Sequence, residues 1–125
     1  LREGDDVIIF SHGVVLAECL KAAEILKKKN ISCKVVNMHT IKPIDKQSVI
    51  ESKKFKLVVT VEEHNVIGGL GSAVSEVLSV EKDRPKQLSL GVTDYYEKGG
   101  SYKYLLDKYG LNSEKIVEKI LLKFK

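Results

Sequence analysis

The stretch VEEHNVIGGLG combines residues that could do chemistry, and an apolar segment with helical spacing follows it. Glu62–His64 supplies side-chain types that transfer protons. Gly68, Gly69 and Gly71 are the residue type that lets a backbone approach a phosphate closely. A strand, a glycine loop and a helix in this order are typical of nucleotide sites. The first question is therefore whether this stretch binds a phosphate.

Both common phosphate-binding signatures fail at defined positions. Counted from Gly69, the dinucleotide fingerprint needs a third small residue at a place where the chain has Val74. A P-loop needs a lysine before its Ser or Thr, but Ser72 follows Gly71 directly. We therefore predict that the glycines serve packing. Gly68 and Gly69 would allow backbone angles closed to other residues, and Gly71 would let a helix approach its neighbours.

The three histidines each follow a predicted strand and would gather at the carboxyl edge of a sheet, where open α/β proteins bind ligands. No pair has the H-x-x-x-H spacing of a metal site. Alternation along a strand would send Glu62 and Glu63 to opposite faces, so they form no acid/base pair. We predict no catalytic, cofactor-binding or metal-binding residue here. The candidate interface or strand-end site consists of Glu63, His64, Gly68, Gly69, Gly71, His12 and His39.

Strands and helices alternate along the chain. Apolar runs predict strands over 6–10, 33–38, 56–61 and 87–92. Apolar spacing and capping residues predict helices over 14–29, 45–52, 70–80, 102–109 and from 113 to the end. Asp45, Ser101 and Ser113 are the expected caps, and Asn30 is the expected stop of the first long helix. This order predicts one α/β domain over 1–125, a three-layer sandwich with a mainly parallel sheet and flanking helices.

Composition excludes several classes of function. The chain has 125 residues, 43% hydrophobic and 30% charged, and a net charge of +4. Its positive charge is almost all dispersed lysine, which favours a solvated surface over a nucleic-acid interface. No apolar run reaches the ~20 residues of a membrane span, so we expect a cytoplasmic protein without membrane contact. The chain begins with Leu1 and not Met, which suggests a piece of a longer protein.

Cys19 and Cys33 are the only cysteines. They have neither C-x-x-C nor zinc-site spacing, because fourteen positions separate them along the chain. We expect two reduced and mostly buried thiols.

Two long segments resemble the C-terminal domain of transketolase-type enzymes. The first is VNMHTIKPID at 36–45, followed by VTVEEHNVIGGLGSAVSEVL at 59–78. The second, at 90–111, is similar to the family's G-x-x-D-x-F-x-x-x-G-S segment, with Tyr96 in place of the phenylalanine. The resemblance extends over essentially the whole chain. The E-E-H and G-S-A-V motifs favour transketolase and deoxyxylulose-phosphate synthase over the 2-oxo acid dehydrogenase beta subunits. Lys98 stands where the synthases often have a histidine, which argues against the synthase.

The resemblance implies thiamine diphosphate and magnesium chemistry in a complete enzyme, which would transfer two-carbon ketol units between the sugar phosphates of the pentose phosphate pathway. It also implies that the cofactor lies between two other domains, and this chain has no G-D-G…N motif for the metal and diphosphate. No cofactor is therefore expected in this domain. The implied role is structural, in a homodimer built with the remaining transketolase domains or subunit.

Two alternatives stay open on the sequence alone. The chain could be a free-standing regulatory or small-ligand-binding α/β module, with its site near His12, His39 and His64 at the strand ends. It could also be a small enzyme acting alone, although no nucleophile–base pair is visible.

Overall fold

The computed structural model describes residues 6–38, 46–65, 69–82, 85–92 and 111–124. They form one sheet of four strands, all parallel, in the order β2-β1-β3-β4. The strands are β1 (Val7–Ser11), β2 (Cys33–Asn37), β3 (Leu57–Asn65) and β4 (Lys86–Val92). The helices are α1 (Leu16–Lys28), α2 (Lys46–Glu51), α3 (Leu70–Leu78) and α4 (Ser113–Phe124). Short 3₁₀ turns span Gly13–Val15 and Ser52–Lys54.

Strand alternation divides the core into two apolar layers. Val7 and Ile9 of β1 pack in a cluster with buried residues of α1 and α4. Ile8 and Phe10 pack in a second cluster with buried residues of α2 and α3. Because successive side chains of a strand leave opposite faces of the sheet, each face is covered by its own pair of helices. The predicted three-layer α/β sandwich is confirmed.

Asn30 ends α1 as the sequence predicts. Its φ of 63° lies in the left-handed region, which asparagine tolerates better than most residues. The N–H groups of Asn30 and Ile31 donate to the carbonyls of Lys27 and Leu26, at 3.0 Å each. These bonds satisfy carbonyls that would otherwise lack partners at the helix end.

Strand β3 is longer than the sequence predicts. It continues to Asn65, where the predicted strand stops at Val61. Its pairing with β1 ends at Ser11↔Val61, but the pairing with β4 resumes at Asn65↔Val92 after an irregularity. The backbone of Glu62–His64 therefore lies within the last part of a strand.

Two helix boundaries also differ from the expectation. Helix α3 ends at Leu78, and Val80 beyond it is 83% exposed. Asn112, and not Ser113, caps α4, because its Oδ1 accepts a 2.8 Å hydrogen bond from the Lys115 N–H. The predicted caps Asp45 and Ser101, and the predicted helix 102–109, lie outside the described residues.

Candidate functional site

The carboxyl edge of the sheet brings several predicted site residues close in the fold. His12 directly follows β1, and β3 carries the backbone of Glu63 and His64 past the point where its pairing with β1 ends. His39 and Gly68 lie outside the described residues, and so do the side chains of Glu63 and His64. Neighbouring strands thus place the backbone of three candidates at one edge.

Glu62 is the residue at this edge that sequence analysis missed. Its side chain is only 1% exposed. Oε1 accepts a hydrogen bond from the Leu70 N–H at 2.8 Å, and Oε2 accepts one from the Gly71 N–H at 2.8 Å. Both donors belong to the first turn of α3. The side chain therefore joins the end of β3 to the start of the helix.

This geometry identifies Glu62 as the anion of the α3 N-terminus. Each oxygen of Glu62 accepts a hydrogen bond from an N–H group. A carboxylate accepts at both oxygens, whereas a carboxylic acid carries an O–H donor on one of them. The first turn of a helix leaves its N–H groups without intrahelical partners and carries a partial positive charge. A bound phosphate uses the same N–H groups. The chain's own carboxylate fills that position, so these residues do not fit a nucleotide or the diphosphate of a cofactor.

Gly71 brings α3 into close contact with the sheet. A Cβ atom placed on Gly71 would lie 2.8 Å from Ser89 Oγ and 3.1 Å from Thr60 Oγ1. The side-chain amide of Gln87 also donates, through Nε2, to the Gly71 carbonyl at 3.1 Å. The close approach predicted from the sequence is therefore present at this glycine.

Gly69 adopts φ −99° and ψ −149°, outside the ordinary helical and extended regions, but it does not use the left-handed region. It is the N-cap residue of α3. The described glycine with a positive φ is Gly13, at 72°, in the turn after β1. Because Gly69 has no side chain, it offers the α3 amides no local acceptor, and Glu62 supplies one from the strand.

A groove of about 780 Å³ runs along the outer side of α3 and β4. Its lining carries hydroxyl and amide groups and one carboxylate, from Gly71, Ser72, Ser75, Glu76, Ser79, Gln87 and Ser89. None of these described lining residues is cationic.

The buried thiols are not poised for chemistry. Burial raises the pKa of Cys19 to about 12, and burial likewise raises the pKa of Cys33 to about 12. Since the thiolate is the nucleophilic form, neither sulfur is an activated nucleophile. Among the described residues, no group of three or more His, Cys, Asp or Glu side chains could hold a metal ion. In the same part of the chain, no helix has the length and apolar character needed to cross a bilayer.

Comparison with known proteins agrees with the fold. The family profile "Transketolase, C-terminal domain" matches residues 1–116. A transketolase C-terminal section from Methanocaldococcus jannaschii is 43% identical over 125 residues, which are 100% of this chain and 39% of that protein. A 6-deoxy-6-sulfo-D-fructose transketolase subunit from a Clostridium species is 44% identical over 118 residues, 94% of this chain and 36% of that protein.

A solved structure, described as a split-gene transketolase forming an inactive beta4 tetramer, superposes with a TM-score of 0.86. It is 43% identical, and the match covers 96% of this chain and 39% of that one. The chain thus spans less than two fifths of the length of these relatives. The chain belongs to the transketolase C-terminal domain family.

Proposed function

We propose that this chain is the C-terminal assembly domain of a thiamine-diphosphate-dependent transketolase, which transfers two-carbon ketol units between sugar phosphates. Family membership over residues 1–116 supports the transketolase assignment. The observation that carries the structural role is the filled anion site: Glu62 accepts from the first two N–H groups of α3, which a diphosphate at this helix end would need. The cofactor and its magnesium would then be held by other domains of a cytoplasmic pentose phosphate enzyme.

The proposed partners are the remaining transketolase domains or subunit, in a complete enzyme that forms a homodimer. This proposal is supported by the length comparison, since the chain spans 39% of the Methanocaldococcus jannaschii relative. A solved relative that superposes with a TM-score of 0.86 is described as a beta4 tetramer, which is a statement about that protein. Both facts favour a domain that works within a larger assembly.

We assign the partner-facing role to the end of β3, where Glu63 and His64 extend past the pairing with β1. Polar residues at the end of a strand, past its pairing with one neighbour, suit a contact between domains better than they suit an apolar core. The carboxyl edge is also the edge at which open α/β sheets bind their ligands. In this assignment the two side chains contact another domain or subunit.

The test is the double variant Glu63→Ala with His64→Ala. In the isolated chain, we expect the free energy of unfolding to change by no more than roughly 0.5 kcal/mol, because surface substitutions seldom do more. In the complete enzyme, we expect sedimentation velocity at low concentration to show a shift toward monomer. Unfolding of the isolated variant, together with unchanged assembly of the complete enzyme, would show that these residues belong to the core.

A further inference from the structure

Glu62 caps α3 from a distance, and this is an unusual way to satisfy a helix N-terminus. Helices are most often capped by a Ser, Thr, Asp or Asn immediately before their first turn. In this chain the N-cap residue is Gly69, which provides no side-chain acceptor. The acceptor comes instead from β3, eight residues before Leu70 and nine before Gly71.

A local cap would stabilise the helix alone, but the Glu62 carboxylate does more. Two charge-assisted hydrogen bonds of 2.8 Å fix the end of β3 relative to the first turn of α3. The first turn of α3 is also held against β4, where the side-chain amide of Gln87 donates to the Gly71 carbonyl. Burying a carboxylate removes it from water at a substantial free-energy cost. A neutral capping residue would satisfy the helix end with a smaller desolvation cost.

We infer that Glu62 is a positioning residue for the assembly edge: it holds the end of β3, and with it the backbone of Glu63 and His64, in the geometry that the partner recognises. This inference rests on the proposed function. A contact surface keeps its geometry only when its supporting residues are themselves held by packing and hydrogen bonds. Glu62 is both buried and bonded through each oxygen, and it directly precedes the two proposed contact residues.

The chain offers a matched control in Glu18. Its Oε1 accepts a 2.8 Å hydrogen bond from the Ser113 N–H at the start of α4, and its side chain is 18% exposed. Glu18 is thus also a carboxylate that caps a helix across a long sequence distance, but it belongs to the α1–α4 layer. Its loss should lower stability without moving the end of β3.

The experiment compares Glu62→Gln with Glu18→Gln in the complete enzyme. Glutamine keeps the size of the side chain but leaves one oxygen acceptor for two N–H groups. We expect Glu62→Gln to raise the subunit dissociation constant about tenfold, which corresponds to ~1.4 kcal/mol. The two variants are compared at temperatures equally far below their unfolding midpoints. Under these conditions, Glu18→Gln should change the subunit dissociation constant by no more than about twofold.

A rescue experiment separates position from stability. In Glu62→Ala, added formate at constant ionic strength should occupy the vacated anion site and restore subunit association. Formate should not change the association of Glu18→Ala or of the wild-type protein. An absence of rescue in Glu62→Ala would overturn the inference, because the α3 amides would then not require an anion for assembly.

The outcomes distinguish this inference from the function on which it rests. If the Glu63/His64 double variant weakens association and Glu62→Gln does not, the inference fails and the proposed function stands. If neither weakens association, the proposed contact edge itself is wrong. Equal weakening by Glu18→Gln and Glu62→Gln would indicate a general loss of stability and overturn the inference. The inference is also overturned if both Glu62→Gln and Glu62→Ala unfold, since Glu62 would then serve folding only.

Discussion

Gly71 lies where the backbone of a helix meets two hydroxyl side chains of the sheet. Thr60 and Ser89 are paired residues on β3 and β4, and their oxygens lie 3.1 Å and 2.8 Å from the position of a Cβ on Gly71. Thr60 is fully buried, and its Oγ1 has no hydrogen-bond partner among the described residues. A glycine here lets the helix approach closely enough for Glu62 to reach the amides of its first turn.

We expect Gly71→Val to lower the free energy of unfolding by about 1–3 kcal/mol, the usual cost of forcing extra atoms into a packed contact. Gly71→Ala should cost less, because Ser89 is exposed and its hydroxyl can rotate away. Urea denaturation measures both changes. The Ser89→Gly background is the control, since it removes one of the two crowded hydroxyls and should reduce the cost of Gly71→Ala. A Gly71→Val midpoint equal to that of the wild type would contradict the prediction.

At the scale of the elements, Asp6 joins the starts of three strands. Its Oδ2 accepts hydrogen bonds from the Ser32 N–H at 2.9 Å and the Ser32 hydroxyl at 3.0 Å, just before β2. Lys56, just before β3, lies 3.4 Å from Oδ1. The backbone hydrogen bond from Ser32 is the main cause that lowers the pKa of Asp6 below its ordinary value of 3.8, with smaller contributions from the Ser32 hydroxyl and Lys56.

A pH dependence follows from this lowered pKa. Because the folded protein holds Asp6 ionised at a lower pH than the unfolded chain does, its contribution to stability is fully present above 3.8 and is lost as the pH falls through the folded pKa. We expect Asp6→Asn to cost about 1 kcal/mol near neutral pH and progressively less in acid. Urea denaturation at a series of pH values measures this difference. A cost that is constant down to the acid limit would show that the carboxylate charge is not responsible.

Local sequence patterns predict the buried parts of these elements well, because burial and periodicity have the same cause. β1 is buried along its whole length, and the apolar run in the sequence places it within one residue. The last part of β3 was not predicted, because Glu62–Asn65 is polar and its strand conformation continues alongside a distant partner, β4. A residue pattern cannot report a partner that lies far along the chain.

The role of Glu62 was missed for a related physical reason. Its partners are backbone N–H groups, which every residue except proline carries, so no side-chain signature marks them. Two signals were nevertheless present in the sequence. Gly69 stands where a capping side chain is expected, and an acid lies on the preceding strand. Together they indicate that the acceptor for the helix comes from the sheet.

At the scale of the whole molecule, the two helices of one layer, α1 and α4, carry charges that follow the direction of the helix. Glu18 and Glu114 lie in the first turns of α1 and α4, whereas Lys28 and Lys123 lie in their last turns. This arrangement complements the helix dipoles. In addition, Glu62 places a carboxylate at the start of α3. The N-terminal ends of α1, α3 and α4 are thus already supplied with carboxylates from the chain itself.

This distribution leads to a prediction about cofactor binding by the isolated 125-residue chain. A diphosphate would have to displace the Glu62 carboxylate from the α3 amides or lie beside it, and like charges at such distances repel. We therefore expect titration calorimetry with thiamine diphosphate and magnesium to give a dissociation constant above roughly 1 mM. This limit corresponds to a binding free energy no more favourable than about −4 kcal/mol. The complete enzyme, titrated under the same conditions, is the positive control. Micromolar binding by the isolated chain would place a cofactor site in this domain and would contradict its assignment to assembly.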